Sequence, residues 1–477
     1  MIKIRLLLLI LIILLSQGRL RAQTEIKNIR QKPVVKDMIF SGNTYFSNNK
    51  IADQMSTQKN RFYNFLKRKK LNPRRLSMDA LAIDSLYHTN GFLEAKASID
   101  YKIENGKAIV EVKIDEGKQT KLGKLEGTGG LKDLNAAVEK IIDKAEKGKP
   151  YNPVEIDDIC FGIRTVYANH GYPYVKIEKQ IERVEEKNVI DVSLKIFPDE
   201  KVFFGEVTCQ GLKFTHPQVA LREIVFKPGE TYSREKLIYS EQRIYSTGLF
   251  NYITLDAKEL EAKPLKADFN LRLVEKKPSF VRFNAGLARD QQQDLSLDFL
   301  GEWGNRNLFG TGRNLSLSAY TSWVIITNLK NLNNRFAINY TEPWFVGIRL
   351  PLFLDVYYEP GVRSVFQEDY RIESWGGDIT FVKEFYRYTK VWLGGGYQRV
   401  YISGVPQDQQ ERFLNEIGIN VRRKINLSAE RDTRDNPLIP SKGAFTQVNT
   451  EQVGGFLGGQ NNLIKFNISW NRYNPLG

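Results

Sequence analysis

The sequence predicts two structural classes in series: three small α+β repeats, each in the order strand, helix, helix, strand, strand, and then an antiparallel transmembrane β-barrel. Three observations predict it. A pattern of about eighty residues recurs three times in the first half of the 477-residue chain, with glycines 91, 171 and 248 standing 80 and 77 residues apart. From Ser279 onward helical spacing gives way to long period-two alternation. Near the N-terminus, Lys3 and Arg5 precede ten unbroken apolar residues, Leu6 to Leu15.

That apolar run is shorter than the roughly 20 residues a spanning helix needs, and its basic flank fits a secretory signal, with Ala22 before the cut. No other apolar run approaches spanning length, so a mature protein in a membrane must cross it as strands. The composition, 42% hydrophobic, 12% aromatic and 26% charged, is that of a folded chain. A net charge of +15 invites a nucleic-acid partner, and the secretion signal argues against one. The densest basic cluster, Lys67 to Lys70 with Arg74 and Arg75, reads as solvated surface or as a contact for anionic headgroups. Cys160 and Cys209 fall in different elements of different repeats and read as free thiols.

The cores of the repeats are Tyr87-His88-Thr89-Asn90-Gly91-Phe92, Tyr167-Ala168-Asn169-His170-Gly171-Tyr172 and Tyr245-Ser246-Thr247-Gly248-Leu249-Phe250. Each reads as a helix end, a glycine stop and a strand. In the first repeat, 36–40 is a strand, 47–55 and 76–89 are helices, and 92–103 with 108–115 form a hairpin turned at Asn105-Gly106, a pair tolerant of positive φ. The second repeat has a helix over 153–169 and strands over 172–182 and 189–196. The third has a helix over 233–247 and strands over 249–258 and 267–274.

Beyond the repeats, Ile464, Phe466, Ile468 and Trp470 alternate with polar partners, as do Leu350, Leu352, Leu354 and Val356. About ten strands follow, over 279–289, 294–304, 313–326, 334–344, 348–359, 370–385, 389–402, 414–431, 442–453 and 461–473. Their lengths meet or exceed the roughly 9 to 11 residues of a membrane-crossing strand, against about 5 or 6 for a soluble sandwich. Trp303, Trp323, Trp344 with Phe345, Tyr357 with Tyr358, and Trp470 with Tyr473 read as interfacial aromatics. The organisation is therefore a signal peptide at 1–22, a linker at 23–34, repeats at 35–118, 119–199 and 200–277, and barrel from 278 to 477.

Two further motifs are turn chemistry taken singly: Asn307-Leu308-Phe309-Gly310-Thr311-Gly312, and Arg431-Asp432-Thr433-Arg434-Asp435-Asn436-Pro437 leading to Pro440-Ser441-Lys442-Gly443. Together with the repeats they resemble POTRA-containing outer-membrane assembly proteins of the BamA/TamA type, over nearly the whole mature chain. Three repeats look more like the TamA type than the five-repeat BamA type. The resemblance implies a barrel of about sixteen strands, so the ten read here leave an open sheet. It also implies an inward loop with a Val-Arg-Gly-aromatic motif that does not occur before Gly477, and the expectation is an incomplete sequence.

The function so implied is insertion or translocation of other proteins at the outer membrane, with the repeats in the periplasm. The partners implied are unfolded outer-membrane or secreted clients, membrane lipid, and accessory periplasmic or lipoprotein subunits. Each repeat would receive a client strand by β-augmentation on the strand after its second helix, and the first barrel strand would be one side of a seam. The client-binding candidates are Phe92, Ala95, Tyr172, Val175, Ile177, Leu249, Tyr252, Val281, Phe283 and Leu287. A dedicated secretion or transport pore with the repeats as adaptors is the alternative. No catalytic, cofactor or metal residues are assigned: of His88, His170 and His216 the first two sit at helix ends of matching repeats, where they read as structural or capping groups, and no His-Glu-x-x-His, Gly-x-Ser-x-Gly or phosphate-loop spacing occurs.

Overall fold

The computed structural model describes residues 33–60, 69–258, 264–289, 295–324, 330–365, 368–385, 388–407, 410–411 and 417–475. The expected signal peptide and most of the linker lie outside the described residues, as do Lys67 and Arg68 of the basic cluster. Among the described residues no helix is long and apolar enough to cross a membrane, which says nothing of crossing by strands.

The first repeat comprises β1 (Val34–Ser41), α1 (Asn48–Gln54), α2 (Pro73–His88), β2 (Lys96–Glu104) and β3 (Lys107–Asp115). The second comprises β4 (Lys121–Gly129), α3 (Asn135–Ile142), α4 (Pro153–Asn169), β5 (Lys176–Val184) and β6 (Val189–Phe197). The third comprises β7 (Phe203–Gln210), α5 (Pro217–Leu221), α6 (Arg234–Ser246), β8 (Phe250–Ala257) and β9 (Lys266–Glu275). All three sheets have one order, β1-β3-β2, β4-β6-β5 and β7-β9-β8, with the last strand central, parallel to the first and antiparallel to the second. The strand following the second helix is therefore always at an edge.

Each sheet buries one face under its two helices. In the second repeat Ile190, Val192, Leu194 and Ile196 alternate inward from the central strand and meet Ile156, Ile159, Ile163 and Tyr167 of α4. The same alternation puts Ala108, Val110, Val112 and Ile114 against Ile83 and Tyr87 in the first. Cys160 is buried and Cys209 half-buried, both as free thiols, and burial pushes both thiols up in pKa.

The third repeat departs from the expected alignment by one residue. Tyr245 is 64% exposed, whereas Ile244, four residues before Gly248 as Tyr87 and Tyr167 are before their glycines, is fully buried. In the first repeat the Tyr87 hydroxyl donates to Glu116 at 2.8 Å, and in the second the Tyr167 hydroxyl accepts from the Leu131 N–H at 3.0 Å. Ile244 fills the same volume without a polar tip.

The C-terminal strands form one ten-stranded antiparallel sheet in sequence order: β10 (Ser279–Arg289), β11 (Leu295–Leu308), β12 (Arg313–Val324), β13 (Lys330–Glu342), β14 (Leu352–Val365), β15 (Glu368–Phe385), β16 (Thr389–Ser403), β17 (Gly418–Asp432), β18 (Gly443–Val453) and β19 (Leu463–Tyr473). Register sorts its two faces. Val281 opposes Trp303, Trp303 opposes Leu317, Leu317 opposes Ile338 and Ile338 opposes Val356, an exposed apolar row across five strands. On the other face run ion pairs, Arg282 to Glu302 at 3.0 Å, Arg335 to Glu359 at 3.0 Å, Lys424 to Asp378 at 2.7 Å and Lys465 to Glu451 at 3.1 Å. Lys424 and Asp378 are two strands apart and meet over Gly396, where a Cβ would stand 2.2 Å from the Asp378 carboxylate. One oily face and one charged face are what a membrane barrel wall requires.

Candidate functional site

Two features stand out: the open edges of the repeat sheets, and the joint between the third repeat and the barrel wall. The two edges of each repeat sheet are not equivalent. The outer edge of the first strand is met by backbone at its start: Val35 donates to Lys69 at 3.0 Å, Leu122 to Lys149 at 2.8 Å and Phe204 to Glu230 at 2.8 Å. No backbone group among the described residues meets the outer edges of β2, β5 or β8. These edges retain unpaired N–H and C=O groups, the template that an extended chain completes.

The candidate client residues divide by burial. Phe92, Ala95, Val175 and Leu249 are in the repeat cores, so their side chains are unavailable to a client. Tyr172 and Ile177 pack partly against the second core. Tyr252, Val281, Phe283 and Leu287 are exposed. The buried four lie before or at the start of their strands, where the chain drops into the core; the edges themselves begin only at Lys96, Lys176 and Phe250. Exposed apolar groups that the sequence reading passed over, Tyr101 and Ile103 on β2 and Ile181 on β5, do flank the open edges. Their signal was alternation counted from the strand's centre rather than its start. On the barrel, β10 pairs only with β11 among the described residues, leaving its outer edge without a strand partner.

The joint is built from the Asn307 to Gly312 turn between β11 and β12. The Asn307 amide donates to Thr215 Oγ1 at 2.8 Å and to the Phe214 carbonyl at 3.3 Å, and its Oδ1 accepts the Gly312 N–H at 2.8 Å. His216 N–H donates to the Gly310 carbonyl at 2.9 Å, and Arg222 Nη2 to the Thr311 carbonyl at 3.2 Å. Gly310 has φ +73°, and a Cβ there would stand 2.7 Å from the Phe214 carbonyl oxygen. The loop receiving this turn is held by Glu275, which accepts N–H bonds from Lys213 at 2.7 Å, Phe214 at 3.0 Å and Thr215 at 2.8 Å. Burial raises the Glu275 pKa, but the Thr215 side chain and the three N–H donors outweigh it and hold the carboxyl below its ordinary range.

A second contact involves Trp344, which the sequence places near a strand end among the interfacial aromatics. Its indole Nε1 donates to Glu223 at 2.6 Å. The same carboxylate accepts from Arg243 Nε and Arg349 Nε, each at 3.1 Å, and Arg349 also pairs with Glu384. Arg222 lies over the Trp344 ring, 5.2 Å from its centre. Sequence reasoning had no signal for Glu223, because its barrel partners, Trp344 and Arg349, are more than a hundred residues away.

Three small repeats followed by a long antiparallel sheet with one oily and one charged face, whose turn between β11 and β12 is hydrogen-bonded to the third repeat, define the class: a repeat-bearing β-barrel membrane protein. The family profile for the Omp85 superfamily domain matches residues 307–477, and that for POTRA, described as surface antigen variable number repeat, matches 33–117 and 202–276. BamA, the outer membrane protein assembly factor of Neisseria meningitidis serogroup B, is 25% identical over 87% of this chain and 53% of its own length. BamA of Nitratidesulfovibrio vulgaris is 26% identical over 84% of this chain and 49% of its own. The chain thus spans about half the length of the curated relatives it matches. The crystal structure of BamA from Haemophilus ducreyi lacking POTRA domains 1–3 superposes with a TM-score of 0.53 at 13% identity, covering 74% of this chain and 66% of that one, a likeness of fold.

The chain belongs to the BamA/Omp85 family of POTRA-plus-barrel proteins. It is an outer-membrane protein with its POTRA repeats in the periplasm. The relatives reported carry the BamA name, whereas repeat number alone had suggested the TamA type.

Proposed function

We propose that the protein assists the insertion or translocation of other proteins at the outer membrane. Unfolded outer-membrane or secreted proteins are its clients. The observation that carries this reading is the one open edge of each POTRA sheet. A repeat edge offers backbone hydrogen bonds, which accept an extended chain with little regard to its sequence. That property suits a receiver of many clients. The outer edge of β10 then serves as one side of a seam that templates a client strand, with Val281, Phe283 and Leu287 presenting an apolar face to lipid and client alike. The relatives' name as assembly factors supports the same reading.

Depletion tests it. A general fall in outer-membrane protein levels is the expected result, and loss of a single secreted protein or nutrient would instead favour a dedicated pore with POTRA adaptors. Cysteines placed at Val281 and Leu287 should cross-link to a nascent barrel protein, and no adduct above controls would sink the seam assignment.

A further inference from the structure

The three open edges differ in one respect. In the first repeat, Asp84 of α2 accepts the outward N–H of Ala97 on β2 at 2.6 Å. In the third, Glu241 of α6 accepts the N–H of Leu255 on β8 at 3.0 Å. Each carboxylate occupies an edge donor that an incoming strand needs. Both acids stand seven residues before their repeat's glycine, Gly91 or Gly248. Seven residues before Gly171 stands Arg164, which has donors only and cannot cap an N–H. Ile177, the counterpart of Ala97, accordingly has no carboxylate on its N–H among the described residues.

We infer that β5 of the second repeat is the docking edge for the client, and that β2 and β8 are held back by their helix carboxylates. This inference rests on the β-augmentation reading above. The occupant is an extended segment with alternating apolar residues, whose carbonyl meets the Ile177 N–H. Ile181, 53% exposed on β5, offers an apolar contact along the edge. Arg164, at the helix position that Asp84 and Glu241 hold in the other repeats, favours a carboxylate on the incoming chain, where Asp84 and Glu241 repel one. A client strand must displace a charge-assisted bond from the Ala97 N–H on β2 or the Leu255 N–H on β8, and no such bond from the Ile177 N–H on β5 among the described residues.

The test uses the full chain in detergent micelles and a synthetic peptide with the sequence of strand β19, Leu463–Tyr473, followed by hydrogen exchange of the three edges and by peptide titration. Peptide should slow exchange over 176–184 more than over 96–104 or 250–257. Arg164→Asp should cap Ile177 and weaken the peptide on the order of fivefold, the worth of one edge hydrogen bond. Arg164→Ala, which adds no cap, should keep protection on β5. Asp84→Ala should add protection on β2. Unchanged exchange within α4 in the absence of peptide shows that the variants are folded. Equal protection of all three edges, or Arg164→Asp binding like the parent, overturns the choice of β5 and leaves augmentation standing. Protection on none of the three edges overturns the augmentation reading itself.

Discussion

The Trp344 indole donates to the Glu223 carboxylate at 2.6 Å, across 121 residues of sequence, and so ties the turn after β13 to the helix α5 region of the third POTRA repeat. Glu223 is 4% exposed and is also the acceptor for Arg243 and Arg349. One buried carboxylate thus satisfies three donors from two structural layers. Removing it takes from Arg243 the carboxylate it pairs with and leaves Arg349 with Glu384 alone, which costs more than the pair contributes.

Glu223→Ala is therefore expected to loosen the joint by about 3 kcal/mol. Hydrogen exchange at 217–224 and 344–350 in the full chain reads this directly. Unchanged protection would mean that the joint is held by the Asn307 turn alone.

The turn makes its own prediction. Gly310→Ala forces a side chain into left-handed backbone and against the Phe214 carbonyl, and should cost about 2 to 3 kcal/mol. Gly106→Ala, with a similar positive φ but open space around it, should cost nearer 1 kcal/mol. Urea unfolding of the two variants separates the terms, and equal losses would show that contact at the joint contributes nothing.

Acid should weaken the first repeat. Burial raises the Glu116 pKa, but the Thr44 hydroxyl, the Tyr45 N–H, the Tyr87 hydroxyl and the Thr44 N–H hold it below its ordinary 4.5. A depressed folded pKa contributes stability that is complete above the unfolded value and is lost as pH falls through the folded one. Stability of this repeat should decline below pH 4.5, and Glu116→Gln should flatten the decline while lowering stability at neutral pH. A parallel slope in both proteins would exclude Glu116 as its source.

The shifted alignment of the third repeat is testable by a pair of truncations. Ile244→Ala should cost about 2 to 4 kcal/mol as a core cavity, and Tyr245→Ala within about 0.5 kcal/mol as a surface change. Denaturant midpoints decide, and the reverse order would restore Tyr245 as the repeat's core residue.

Much of the fold was legible because it is periodic. The α4 helix, Pro153–Asn169, and the strand β10, Ser279–Arg289, occur where spacing placed them, since a proline start, an apolar stripe and strict alternation are local signals. The starts of the first two edge strands were not: Phe92, Ala95 and Val175 are apolar and follow the glycine, yet they plug the core before the strand proper begins.

The sequence by itself determined the element order, the three repeats, the two faces of the barrel strands and the family, because these are written in residue spacing and turn chemistry. Only the tertiary structure decided which edge of each sheet stays open, that Asp84 and Glu241 cap two of the three, and that Glu223 joins repeat to barrel. Those outcomes depend on backbone and carboxylate groups brought together by pairing and helix packing, and a hydrogen bond between distant segments leaves no period in the chain that forms it.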